Sequence, residues 1–463
     1  MGPGRELVPG PQGLEPDVQA AHQSVCYQEV TFLAPVIEEC FKAAMALAPS
    51  LNCTTGNRRR GLPLRIELRI VTHLCRCRRA WTLWSCLGSA LLLSTLGVMA
   101  AREAATPPAR FLAPVPRDFY ADDVGRFLAG LPARPDSPFA KLQDDAAWKE
   151  HKQELDTAWT NVDQDRLPAM RAFQRAELGE QATATSPVFY PFSGPDALTV
   201  TLFFPQSPVY VMVGLEPAGT LPKPEQLQSK DLKNYLAETR ATVASELERS
   251  FFITRQMDSQ FRGQVTDGLC LPILELLVRS GHTVLGFRYV RLDDRGQVIE
   301  RAADYRAPTR NANKGVEIDF LRDDDHSVHK LFYFSVNLSD TRLQENKPFL
   351  AFLANLQGAT TFLKATSYMV HMTGFSIIRK QVLAESGAVL QDDSGVPYHY
   401  YLSPDWRVQL YGEYNYPYGS FRWLVQQDLR TAYRTQQIRP LAFRIGYGCR
   451  AIPSNLLYAT KIK

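Results

Sequence analysis

Cysteine is scarce in the part of this chain that could fold. Of eight cysteines, only Cys270 and Cys449 lie beyond Cys86. That excludes a disulfide framework of the kind found in small secreted domains, and leaves either one bridge or two buried thiols. Cys75 and Cys77 stand too close together for the usual zinc spacing. Nucleotide fingerprints are missing as well: there is neither G-x-G-x-x-G nor a Walker A loop. No serine sits in a G-x-S-x-G elbow, and no H-E-x-x-H is present. No cofactor is therefore expected. Charge of one sign is not concentrated either. Residues 1–100 carry ten basic and seven acidic side chains, and the remainder 42 and 41. So even a balance argues against nucleic acid as the main partner, because phosphate binding needs a concentrated basic surface.

Long apolar runs are equally rare, and the one that exists organises the chain. Residues 80–101, AWTLWSCLGSALLLSTLGVMAA, contain no charge and follow Arg76, Arg78 and Arg79. A basic flank, an apolar centre on Leu91, Leu92 and Leu93, and small residues at Ala100 and Ala101 have the three-part form of a secretory signal peptide. The alternative is a single-pass anchor, since about 20 apolar residues can span a bilayer. Gly88, Ser89, Ser94 and Gly97 dilute the run, and it ends in small residues. The favoured reading is cleavage after Ala100, giving a periplasmic or secreted protein. Either reading keeps the arginines inside and puts the C-terminal part outside the cytoplasm. Membrane contact is expected only through 80–101, if uncleaved. Leu83-Trp84-Ser85-Cys86 is like a lipobox, but its cysteine precedes the apolar centre.

The run begins far from Met1, which divides the chain into 1–70, a mis-assigned or disordered leader or a cytoplasmic tail; 71–101, the signal peptide or anchor; and 102–117, a proline-rich linker. Residues 118–463 form the globular region. Cleavage after Ala100 leaves roughly 360 residues, enough for one large domain or two ordinary ones. Apolar spacing predicts helices over 118–131 and 137–178, with Pro168 as a kink or break. From Ser186 the composition turns to β-branched and aromatic residues, and strands are expected at 198–204 and 209–215. Helices are expected at 224–261 and 268–279, then strands at 283–292, 315–321 and 328–336, the last two forming a hairpin. Helices at 347–356, 360–371 and 375–385 follow. Strands at 388–393, 396–402 and 406–415, a helix at 421–433, and strands at 441–450 and 455–460 complete the pattern. The fold class is α+β: a helical N-terminal layer over 118–180, then a mostly antiparallel sheet with packed helices over 186–463.

Several polar clusters could carry chemistry, each with an ordinary structural explanation beside it. Asp392, Asp393 and Ser394 end a predicted strand, where a scaffold can aim them into a cleft. A carboxyl pair performs acid–base work if its surroundings split the two pKa values, but neighbours on a strand point to opposite faces, and a D-x-S-G turn is commonplace. Asp196 lies in a similar turn, Ser193-Gly194-Pro195-Asp196. His371 ends a predicted helix and is a candidate base. His326 and His329 flank an acidic turn and are the metal-ligand candidates, against a solvated hairpin tip. Tyr411, Tyr414, Tyr416 and Trp423 form an aromatic group able to stack on a sugar or line a peptide groove, or simply to build a core.

The segments FYPFSGPDALTVTLFFP (189–205), YVMVGLEPAG (210–219), LFYFSVNLSD (331–340), VLQDDSGVPY (389–398) and PLAFRIGYGCRAIPSNLL (440–457) give the chain a further character. From Asp118 to the C-terminus it resembles a family of uncharacterised bacterial exported, periplasmic proteins. The resemblance implies a cell-envelope protein and no activity; residues 1–70 depart from the family pattern. The expected function is an envelope protein that binds a ligand or partner, or is structural. The alternatives are a periplasmic hydrolase with a carboxylate and hydroxyl site, and a membrane-anchored structural protein.

Overall fold

Residues 209–214, VYVMVG, show no polar–apolar alternation, as a strand buried on both faces requires. In the computed structural model every one of them is buried, and they lie in the interior of a ten-stranded sheet. The structure describes residues 114–179, 184–228, 231–252, 268–305, 313–450 and 452–462. The chain divides into two units, Met1–Thr106 and Pro107–Lys463, and the described residues all belong to the second. The leader, the run 80–101 and most of the linker lie outside them. Among the described residues no helix is long and apolar enough to cross a membrane.

The helical N-terminal layer is α1 (Tyr120–Leu128), α2 (Ala146–Asn161) and α3 (Leu167–Phe173). Next come β1 (Val188–Pro191), α4 (Ala197–Phe203), β2 (Val209–Gly214), α5 (Pro224–Gln228), α6 (Leu232–Arg249) and α7 (Cys270–Arg279). An antiparallel block follows: β3 (His282–Leu292), β4 (Val298–Glu300), β5 (Gly315–Arg322) and β6 (Val328–Ser335). The chain closes with α8 (Asp340–Glu345), α9 (Lys347–Leu353), β7 (Ala359–Leu363), α10 (Ser376–Glu385), β8 (Ser386–Gln391), β9 (Trp406–Gly412), α11 (Gln427–Thr435) and β10 (Asn455–Lys461).

The strand order is β4-β3-β5-β6-β2-β1-β7-β8-β10-β9. Both flanks are antiparallel, whereas β6, β2, β1, β7 and β8 run parallel through the centre. The α+β class with a mostly antiparallel sheet holds, and the parallel centre is what the sequence reading did not anticipate. Side chains of β2 alternate between two cores. Tyr210 and Met212 pack with α1, α4, α6 and α7 on one face; Val211 and Val213 pack with α9 and α10 on the other. Such burial on both faces is what parallel strands need.

Four local expectations are corrected. Residues 198–204 form α4, not a strand: Asp196 caps it, its Oδ1 accepting from Thr199 N at 3.1 Å, and burial in the first core overrides the β-branched composition. Residues 359–363 are a strand inside the expected helix 360–371, because β1 and β8 pair with it on both sides. Residues 396–402 contain a 3₁₀ turn (Tyr398–Tyr401) and 441–450 another (Gly446–Cys449), where strands were expected. At Pro168, where a kink or break was expected, the helix continues but is interrupted just before by a π turn at Val162–Arg166. Cys270 and Cys449 are free thiols.

Candidate active site at the carboxyl ends of the central strands

The connection after β1 runs through α4, on the first face, to β2; that after β7 runs through α10, on the second face, to β8. Neighbouring parallel strands whose crossovers leave to opposite faces open a crevice at their carboxyl ends, the usual ligand position in sheets of this type. Three loops meet there, carrying Asp196 after β1, Lys364 after β7, and Asp392 with Asp393 after β8.

Lys364 is the centre. It is buried, and its Nζ lies 2.7 Å from Asp196 Oδ2 and 3.2 and 3.3 Å from the two Glu246 oxygens. Thr199 Oγ1 and Ser250 Oγ complete its surroundings at 3.2 and 3.4 Å. Asp196 also accepts from Tyr190 OH at 2.9 Å. Arg166 donates to the Glu246 backbone carbonyl at 2.9 Å and its guanidinium is 3.9 Å from that residue's carboxylate. Burial alone would lower the lysine pKa, but the Asp196 and Glu246 carboxylates outweigh it and hold Lys364 charged. Burial, reinforced by Asp196, pushes Glu246 up to about 7 against the pull of Lys364 and Arg166.

The two aspartates after β8 diverge, as strand geometry requires. Asp392 turns to the lysine side: Oδ2 accepts from Ala365 N at 2.8 Å, and Oδ1 from Ser394 N at 3.0 Å and Ser394 Oγ at 2.5 Å. Asp393 turns the other way, accepting from Tyr368 OH at 2.6 Å and Asn455 Nδ2 at 2.9 Å. Burial, with the neighbouring Asp392 charge, pushes Asp393 up to about 7; burial also raises Asp392. His371 sits in a 3₁₀ turn and not at the end of an α-helix, its Nε2 3.2 Å from the Asp393 carbonyl, and burial lowers its pKa to about 4.

Backbone strain gathers at the same place. Phe192, Ser250, Ala365, Ser367 and Tyr368 all have positive φ, a conformation that costs a non-glycine residue about 1–3 kcal/mol and that concentrates at functional sites. Gly446, at φ +52, is needed for contact as well: a Cβ there would stand 2.7 Å from Asp392 Oδ2. An aromatic layer closes the crevice. The Tyr418 and Tyr447 rings stack at 4.9 Å with 4° between their planes, Tyr368 continues the stack at 5.9 Å, and Phe421 packs on Tyr368 at 4.9 Å. Tyr418 N donates to the Tyr368 hydroxyl that holds Asp393.

The metal-ligand candidates lie apart from this network. His329 is buried, its Nδ1 2.7 Å from the Ser207 carbonyl and its Nε2 2.6 Å from Ser327 Oγ, while His326 stands exposed at the hairpin tip. Among the described residues no group of three or more His, Cys, Asp or Glu side chains could hold a metal ion. Tyr411 and Tyr414 belong to the two cores; Tyr416 and Trp423 are exposed. The sequence brought Asp196, Asp392, Asp393, Ser394 and His371 into view but missed Lys364, Glu246, Tyr190 and Tyr368. A lysine closing the apolar run ATTFL was the available signal. Comparison with protein-family models, characterised proteins and solved structures gives no match.

Proposed function

We propose that the protein is a hydrolase that works outside the cytoplasm, with its acid–base centre at the carboxyl ends of β1, β7 and β8. The observation that carries this is the meeting of buried Asp196, Lys364 and the Asp392–Asp393 pair from three loops, with Glu246 of α6 on Lys364, at the carboxyl ends of the central strands. Buried ion pairs are costly to desolvate and weak contributors to stability; several together, among strained residues at a strand switch point, fit a site better than a core. Asp393 and Glu246, balanced near neutrality, are the proton donors and acceptors. Lys364, paired with Asp196 and Glu246, holds the carboxyl groups in place. Tyr368 and Asn455 position Asp393. The export reading draws on the apolar run 80–101 and on the resemblance to exported proteins. A second reading, a non-catalytic envelope binding protein, draws on the exposed rings of Tyr416 and Trp423.

The test is a screen of the purified protein against nitrophenyl esters, phosphates and glycosides beside Lys364→Met. Turnover with one bond class, lost in the variant while its circular dichroism is kept, supports the reading. Equal rates in both proteins would overturn it.

A further inference from the structure

We infer that the substrate is a neutral saccharide and that the loop carrying Tyr416, Tyr418, Phe421 and Trp423 is its stacking platform; this rests on the acid–base reading of the site beneath. Trp423 is 65% exposed, the highest value among the large exposed apolar side chains described. Arg422, its neighbour on the same 3₁₀ turn, lies 4.4 Å over the Tyr416 ring. On the same loop Tyr418 and Phe421 are half-buried and pack inward on Tyr447 and Tyr368, and Tyr368 ends on Asp393. The loop that presents Trp423 and Tyr416 to solvent therefore also carries the rings that reach the proposed proton donor.

The charge around the site selects the ligand. Lys364 is fully engaged by Asp196 and Glu246, and Arg166 by the Glu246 carbonyl and carboxylate. Both cations are thus already occupied by carboxyl groups, which disfavours phosphates and other anions. A peptide added as a strand needs a sheet edge, and β1, β7 and β8 are paired on both sides. A pyranose fits what remains: its C–H faces stack on aromatic rings, and its hydroxyl edges meet tyrosine hydroxyls and carboxyl groups. A carboxyl group held protonated near neutrality, as Asp393 is, is also the acid of glycoside hydrolysis: it protonates the leaving oxygen while water attacks the anomeric carbon and passes its proton to a second carboxylate.

Isothermal titration of the full chain with chitohexaose, cellohexaose and maltohexaose tests this. The expected result is saturable binding of at least one, weakened about tenfold by Trp423→Ala and again by Tyr416→Ala, with unchanged unfolding midpoints. Failure of all three sugars to bind, or equal binding by wild type and both aromatic variants, overturns the inference. Saturable, Trp423-dependent binding without hydrolysis of the bound sugar would uphold the platform and sink the acid–base reading instead.

Discussion

Lys364 holds together charges that would not otherwise stay buried. Removing it leaves Asp196 and Glu246 unpaired away from water, so Lys364→Met should destabilise the fold by about 3–5 kcal/mol in urea unfolding. An unchanged midpoint would show that the network contributes nothing. Asp393 gives a pH signature. Folded, it keeps its proton to about pH 7; unfolded, it releases it near 4. Between those values the folded state binds more protons, so this group makes stability fall as pH rises through that window. Wild type should therefore lose more stability than Asp393→Asn between pH 5 and pH 8, and parallel curves would refute the raised pKa. The aspartates were legible in the sequence because they stand in turn motifs after apolar runs. Lys364 and Glu246 were not, because 118 residues separate partners that only the sheet brings together.

Among the elements, the parallel centre places the site, and its least legible parts are α4 and β7. In each, local composition favoured the wrong state: LTVTLFF reads as a strand until Pro195-Asp196 is taken as a helix start, and ATTFL reads as a helix until two neighbouring strands claim it. The antiparallel hairpin of β5 and β6 was plain, since its pairing is local. Two glycines separate conformation from contact. Gly358 has φ +74 with nothing near its Cβ position, so Gly358→Ala should cost about 1 kcal/mol. Gly446 adds the close approach to Asp392 and to Lys364 Cγ at 3.3 Å, so Gly446→Ala should cost about 1–3 kcal/mol more. Thermal melts of the two variants should rank in that order, and equal melts would mean that the 446 turn yields without disturbing the site.

For the molecule as a whole, the division into leader, apolar run and folded region rests on sequence alone. Its direct check is intact mass and N-terminal sequencing from fractionated native cells. A start near Ala101 in the periplasmic fraction is expected; recovery from Met1 in the membrane fraction would make 80–101 an anchor and the leader a real tail. Class was legible because helical and strand periods alternate in blocks. Function was not, because the proposed site comes together only when β1, β7 and β8 align.

The central claim is that this crevice is an acid–base centre, and the pH–rate profile on the best substrate from the chromogenic screen addresses it most directly. The wild-type profile should bend near pH 7, with Asp393→Asn losing that bend and about 10²–10⁴-fold of the rate. An unaltered profile and rate in Asp393→Asn would contradict the account.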